Sequence, residues 1–325
     1  MIRYMLDTNL IACFKKKRPE RVLRVNFFSF IFAVLLCTGF QFNIQTNCAL
    51  AESLPAGESC WLFEESTGVN GDPVRVFTYR SAGWQPGDMI VCVFHGMKRN
   101  PEHYLAGWIA HADENSLLVL CPEFTKEKYP GTGYYHTGNI MDRTNGAGRL
   151  QPKDSWVFPA VDRLISEVKA RTEAYESPVV LFGHSAGGQF LHRYALFGGN
   201  TEAVLIMPAN GGLYTMPDST VPFPYGLGGV PLSDEELAAA FAKPVVLLLG
   251  EADVKRTSNL RMTPEADRQG LNRLERGRNF FAAAKRKAAE LGVPFSWKLV
   301  TVPGVGHQGT KMGDAAMQVI KEYYQ

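Results

Sequence analysis

From residue 74 onward, short apolar runs alternate with longer stretches whose apolar positions recur at helical spacing. Residues 74–80 alternate apolar and polar side chains and predict a half-buried strand. Residues 89–94, 117–121, 179–182, 203–207 and 245–249 are almost continuously apolar, the pattern of strands covered on both faces. Residues 295–302 predict a last strand. Between them, residues 102–115, 154–172, 185–196, 272–291 and 314–324 predict helices. In the second of these, Val157, Val161, Leu164, Ile165 and Val168 form one apolar stripe. This order implies βα units: a single α/β domain over residues 52–325, with a mostly parallel central sheet and helices on both faces. Two segments interrupt the rhythm, 129–152 (rich in Gly, Tyr and Asn) and 210–232 (rich in Gly and Pro). Both follow strand ends, where open α/β sheets bind their ligands.

The first 51 residues follow a different pattern. Residues 15–24 are basic, 27–40 are almost wholly apolar, and a polar stretch then ends in Ala49-Leu50-Ala51. That is the plan of a secretory signal peptide with cleavage after Ala51. The apolar run is 14 residues long, short of the roughly 20 a spanning helix needs. Cleavage is therefore favoured over a permanent anchor, and contact with a membrane is expected only through this leader. Neither Cys37 nor Cys48 follows the small residue of a lipidation site. Residues 1–10 resemble the opening strand of PIN-domain nucleases, where Asp7 would hold metal. The next acid, however, is Glu20, and the hydrophobic leader follows at once. The length before the apolar run instead suggests a translation start downstream, near Val22 or Val25. The expected location is outside the cytoplasm, periplasmic or extracellular.

The leader also changes the charge picture. It holds seven of the chain's 34 basic residues and two of its 32 acids, so the remainder carries 27 against 30. A slightly acidic body has no electrostatic footprint for nucleic acid. Only Cys60, Cys92 and Cys121 lie beyond the leader, which allows at most one intrachain disulfide; Cys60 with Cys121 is the candidate pair. Cys92 sits in an apolar run and reads as a small buried hydrophobe.

The chemistry centres on Gly183-His184-Ser185-Ala186-Gly187, which joins a predicted strand to a predicted helix. This is G-x-S-x-G in the strand–turn–helix context of a nucleophile elbow. Small neighbours let the backbone turn sharply and lift the hydroxyl clear of the sheet. A serine needs a base to take its proton. Downstream of Ser185 there are two histidines. His192 lies within the following helix and reads as a surface or packing residue. His307, in Pro303-Gly304-Val305-Gly306-His307 after the last strand, is the expected base. The acid should follow an intervening strand; Asp253 is the choice and Glu251 the rival, both after Gly250. The oxyanion donors should be the backbone N–H groups of Ala186 and of Met97, the latter in Phe94-His95-Gly96-Met97. His95 is expected to orient that loop. Tyr134, Tyr135 and His136 in the first irregular segment, and Asn210, Tyr214 and Tyr225 in the second, are candidate substrate contacts; Trp108 and Trp156 belong either near them or in the core.

The pieces MIVCVFHGM, LLVLCPEF, VVLFGHSAGGQF, VVLLLGEAD and VPGVGH, spread from residue 89 to 307, together resemble α/β-hydrolases. The similarity is to the esterase branch near polyhydroxybutyrate depolymerases and feruloyl or acetylxylan esterases. It implies a serine hydrolase that cleaves carboxylic esters through an acyl-serine, acts on a small or oligomeric ester, and needs neither metal nor organic cofactor. A serine peptidase or amidase would carry the same triad, and a non-catalytic binding protein on this fold is the alternative from another class. One prediction concerns the leader alone. Mass spectrometry of the exported chain should find Glu52 at its N-terminus, and a species beginning well before that residue would contradict cleavage after Ala51.

Overall fold

The computed structural model describes residues 3–4, 53–143, 148–198 and 201–324. The segment read as a leader lies outside the described residues except for a two-residue strand β1 (Arg3–Tyr4), and its assignment as a signal peptide is therefore untouched by the fold. The other strands are β2 (Gly57–Phe63), β3 (Val74–Arg80), β4 (Ile90–Phe94), β5 (Leu118–Pro122), β6 (Val179–His184), β7 (Ala203–Ala209), β8 (Val246–Gly250) and β9 (Lys298–Val302). They form one sheet in the order β1-β9-β8-β7-β6-β4-β5-β3-β2. The pairs from β5 through β4, β6, β7 and β8 to β9 are parallel; β1, β2 and β3 pair antiparallel. Removal of residues 1–51 would take β1 with it and leave eight strands.

The continuous apolar runs have a direct structural cause. In β4, Ile90, Cys92 and Phe94 face one core while Val91 and Val93 face the other. In β6, Val179 and Leu181 divide from Val180 and Phe182 in the same way. Both faces are covered, so neither alternate position can be polar. One face is packed by α4 (Pro159–Thr172), α5 (Ala186–Phe197), α6 (Asp234–Ala242) and α8 (Arg273–Leu291), through Val161, Leu164, Phe190, Leu237 and Phe280. The opposite face is packed by α1 (Pro101–Ala106), α2 (Ile109–Asn115) and α9 (Gly309–Tyr324), through Leu105, Ala112, Met312 and Ala316. Two further short helices, α3 (Gly131–Tyr134) and α7 (Pro264–Asp267), lie in connections.

Several boundaries differ from the sequence expectation, each for a local reason. The helix expected over 102–115 is two helices, broken at Gly107-Trp108, where the Gly107 N–H bonds back to Tyr104 and Leu105 carbonyls. The helix expected from 154 begins at Pro159, because proline lacks the N–H that an interior position requires and suits the first turn. Residues 153–155 form a separate 3₁₀ turn. Helix α9 starts at Gly309 rather than 314; its two glycines lie close to Tyr104 and Trp108, a tertiary contact invisible in local pattern. Helix α6 was not expected, although Ser233 and Glu236 form a reciprocal capping box at its start. The candidate disulfide is corrected. Cys60, Cys92 and Cys121 are all free thiols. Cys60 pairs with Phe77 of β3, and Phe77 pairs on its other side with Cys121. Two strand spacings, about 9–10 Å, exceed the reach of a disulfide.

The chain runs from β4 outward to β5 and then returns to place β6 on the other side of β4, so the sheet reverses direction between β4 and β6. Crevices in open α/β sheets form at such a switch point, at the carboxyl ends of the strands. The close approach of α5 to this edge depends on glycine. A Cβ on Gly187 would stand 2.1 Å from the Phe94 carbonyl oxygen, and one on Gly188 would stand 2.4 Å from that of Ala209. Gly187→Ala should therefore lower the unfolding free energy by about 1–3 kcal/mol or more, as overpacking does. Gly71→Ala, where a Cβ meets nothing within 4 Å, is the control and should leave urea melts unchanged. Equal stability of the two variants would contradict this packing account.

Candidate active site

Three strand ends and one loop meet at the switch point. Ser185 stands between β6 and α5 with φ 59° and ψ −108°, a backbone conformation that side-chain-bearing residues seldom adopt. Its N–H is held by the Ala209 carbonyl at 2.9 Å, and its own carbonyl caps the Gln189 N–H at 2.9 Å. The strained turn points the hydroxyl out of the sheet at the start of α5.

His307 follows β9, and its Nε2 lies 2.9 Å from Ser185 Oγ. Its Nδ1 lies 2.7 Å from Asp253 Oδ2. Asp253 is 2% exposed, at the end of the turn after β8. Its rival Glu251 turns away and accepts a hydrogen bond from Thr301 Oγ1 at 2.8 Å. The two loops are tied to each other. The Ala252 N–H donates to the Val305 carbonyl at 2.9 Å, and the Glu251 N–H donates to Val302 at 3.0 Å. Asn210, at the end of β7, joins both: its Oδ1 accepts the Gly250 N–H at 2.8 Å, and its Nδ2 donates to the Gly306 carbonyl at 3.2 Å.

The loop after β4 lies on the other side of Ser185. A Cβ on Gly96 would be 3.8 Å from the serine Cβ, and both Met97 and Ala186 line the same cleft as Ser185. The Met97 N–H donates to no backbone carbonyl among the described residues. That of Ala186, first residue of α5, is one of the donors a helix leaves free at its N-terminus. His95 is fully buried and braces this loop. The Phe124 N–H donates to its Nε2 at 3.0 Å, so Nδ1 carries the proton and donates to the Gly96 carbonyl at 3.0 Å. Tyr135 donates to the His95 carbonyl at 2.7 Å.

The substrate candidates need correction. Tyr135 and Tyr214 are fully buried, stacked on Phe190 and Phe280 respectively. Asn210 is buried and engaged as described, and Tyr134 packs against the core. None of the four lines the cleft at Ser185. Aromatic richness in these loops serves packing because each ring buries a large apolar area. Tyr225 lies instead in a separate groove of about 1060 Å³ that does not reach Ser185. Trp108 and Trp156 are core residues. His136 does line the cleft. His192 is fully buried, its Nε2 accepting the Thr215 N–H at 3.0 Å and its Nδ1 donating to the Gly188 carbonyl at 3.1 Å.

Two participants were not anticipated. Arg273, the first residue of α8, is 2% exposed; its Nη1 stands 3.5 Å from Asp253 Oδ1, behind the imidazole. No local signal marks it, since arginine early in a helix is ordinary and its partner is 20 residues away. His184, the residue before the serine, packs at a 41° tilt against His307 with ring centroids 4.6 Å apart. Its Nδ1 lies 3.1 Å from the Tyr104 hydroxyl. The G-x-S-x-G pattern contains His184 but does not indicate that its side chain turns toward His307.

Two solved structures are similar over most of the chain. One is poly(aspartic acid) hydrolase-1 from Sphingomonas sp. KT-1, 35% identical, with 82% of this chain and 98% of that one covered at a TM-score of 0.75. The other is LpqC, a poly(3-hydroxybutyrate) depolymerase from Bordetella parapertussis, 37% identical, with 82% and 90% covered at a TM-score of 0.75. An S-formylglutathione hydrolase from Agrobacterium tumefaciens shares the fold at 14% identity and a TM-score of 0.52, over 84% of this chain and 96% of that one. No protein-family model matches the chain, and no curated protein matches it.

The histidines packed around the site have a consequence for stability. Burial holds the His95 and His136 imidazoles down to about 3, and pushes those of His184 and His192 well below the ordinary range. In the unfolded chain each takes up a proton near pH 6.5. The unfolded state thus binds more protons below that pH, and stability present above about pH 6.5 is lost as pH falls toward 3. Urea midpoints should drop between pH 7.5 and pH 5, before most carboxylates titrate. A midpoint that stays level or rises across that interval would contradict four neutral buried imidazoles.

Proposed function

The chain belongs to the α/β-hydrolase family of serine esterases that includes poly(3-hydroxybutyrate) depolymerase, and from that premise we propose that it is an exported enzyme cleaving carboxylic esters through an acyl-serine at Ser185. The observation that carries the proposal is the unbroken line from Asp253 Oδ2 through the His307 ring to Ser185 Oγ, at 2.7 Å and 2.9 Å.

The chemistry follows from that line. His307 Nε2 takes the hydroxyl proton as Ser185 Oγ attacks the substrate carbonyl carbon. Asp253 fixes the imidazole with its proton on Nδ1 and stabilises the imidazolium, while Arg273 keeps the carboxylate in position. Negative charge develops on the former carbonyl oxygen, toward the Met97 and Ala186 N–H groups. Such donors act without reorganising, and losing one typically costs about 3 kcal/mol. As the tetrahedral species collapses, His307 returns the proton to the departing alkoxide, which leaves as the alcohol. Water then attacks the acyl-serine by the same route, and the carboxylic acid departs.

Amide cleavage is a second reading, favoured by one specific observation. The relative at 35% identity is a hydrolase of poly(aspartic acid), whose backbone links are amides. Turnover of a matched ester and anilide separates the readings. Export rests on the leader's sequence and is tested by its processed N-terminus.

The kinetic test uses the purified mature protein. Ser185→Ala should abolish turnover of 4-nitrophenyl acetate and labelling by a fluorophosphonate. Asp253→Asn should lower kcat by about 10⁴-fold through the wrong imidazole tautomer. Glu251→Gln should leave kcat near that of the parent. Persistent turnover in the serine variant, or equal losses from the two acid variants, would defeat the assignment; an inert protein that binds esters unchanged would point to the non-catalytic alternative.

A further inference from the structure

We propose that the cleft beside Ser185 is a subsite for an acyl arm bearing a carboxylate, so that the enzyme's substrates carry a negative charge a few atoms from the scissile carbonyl. This rests on reading Ser185 as the nucleophile and adds the class of substrate it acts on.

The cleft is small, about 100 Å³, with room for an arm of a few heavy atoms rather than a long alkyl chain. Its position identifies the arm. The departing alcohol must sit against His307 Nε2, which protonates it, and His307 does not line this cleft. Met97 and Ala186, assigned above as the oxyanion donors, do line it. The cleft therefore continues from the acyl side of the carbonyl.

Its chemistry is cationic. Arg261 and Arg273 both contribute to the wall, and no Asp or Glu does. Arg273 is 2% exposed, with Nη2 bonded to Asn259 Oδ1 at 3.2 Å and Nη1 beside Asp253, yet its Nε, also buried, has no hydrogen-bond partner. A buried guanidinium N–H without an acceptor is costly. Gly212 lies in front of it: a Cβ there would be 3.4 Å from Gln189 Nε2 and 3.8 Å from both Arg273 Nε and Leu260 Cδ1. Two donors thus face the methyl-sized space that the absent side chain leaves. Arg261, at the half-exposed rim, packs its guanidinium over the Tyr225 ring and pairs with no carboxylate among the described residues. Asp253 offsets the charge of Arg273, so Arg261 supplies the net positive charge. A planar carboxylate matches forked guanidinium donors better than a hydroxyl or a methyl end does. The potential at the wall agrees with this. The imidazole of His136, which lines the cleft, is held down first by burial and then by the charges of Arg99, Arg193 and Arg261.

The test compares monoethyl succinate with ethyl butyrate, two esters of equal acyl length, by proton release in a pH-stat. The parent enzyme should favour the succinate half-ester by about tenfold or more in kcat/KM, the scale of one charge-assisted hydrogen bond. Arg261→Gln should collapse that ratio toward one, and Arg261→Lys should restore part of it. Arg261 is the residue to change because Arg273 also braces Asp253. A ratio at or below one in the parent, or a ratio untouched by Arg261→Gln, overturns the subsite while fluorophosphonate still labels Ser185. If neither ester is cleaved and Ser185 does not label, the underlying assignment of the nucleophile has failed instead.

Discussion

The backbone turn at Ser185 is the constraint around which the carboxyl edge of the sheet is organised. A residue with a side chain is held at φ 59° because the surrounding structure leaves it no other course. On one side β6 is locked between β4 and β7; on the other, α5 is pressed against Phe94 and Ala209 through Gly187 and Gly188. The N–H of Ser185 is pinned by the Ala209 carbonyl. Small residues at 183, 187 and 188 are the condition for this turn, because a Cβ at each would meet backbone at 2.5 Å or less.

The partners of Ser185 are secured in a different way. His307 and Asp253 belong to two turns that hold each other by backbone hydrogen bonds, with the Asn210 amide joining β7's end to both. The loop that carries the imidazole is therefore placed by main-chain geometry. Around it lies a second layer of polar side chains. His95 braces the loop of Met97, Arg273 stands behind Asp253, and His184 packs at a tilt against the imidazole. A reacting group is held accurately when its supports are themselves held.

Arg273 links this machinery to the cleft. One edge of its guanidinium faces Asp253, and its Nε lies 3.8 Å from where a Cβ on Gly212 would stand. In the proposed subsite, a substrate carboxylate would meet the same planar group that braces Asp253. Two relatives at similar distance, one named for a polyester and one for a polyanionic polyamide, share the fold and differ in the polymer they are named for. A shared fold does not by itself fix the substrate, which depends on the residues of the site.

Much of this was legible in the chain itself. Buried parallel strands read as continuous apolar runs because both faces are covered, and a strand running into Gly183–Gly188 marks the elbow because only small residues permit it. His307, in a glycine-rich turn after the last strand, and Asp253, three residues past Gly250, could be picked out because both follow buried parallel strands and so lie at one edge of the sheet. The sequence preferred Asp253 and kept Glu251 as a rival; which of two carboxylates two residues apart the turn points at His307 is visible only in the tertiary structure. The same is true of the tyrosines, whose composition resembles a binding surface but whose rings fill the core, and of Cys60 and Cys121, which intervening β3 separates. Local pattern encodes burial and backbone freedom, which depend on each residue and its near neighbours. Arg273 beside Asp253, and Arg261 in the same cleft as Ser185, depend on the packing of distant segments, which exists only once the sheet has brought the segments together.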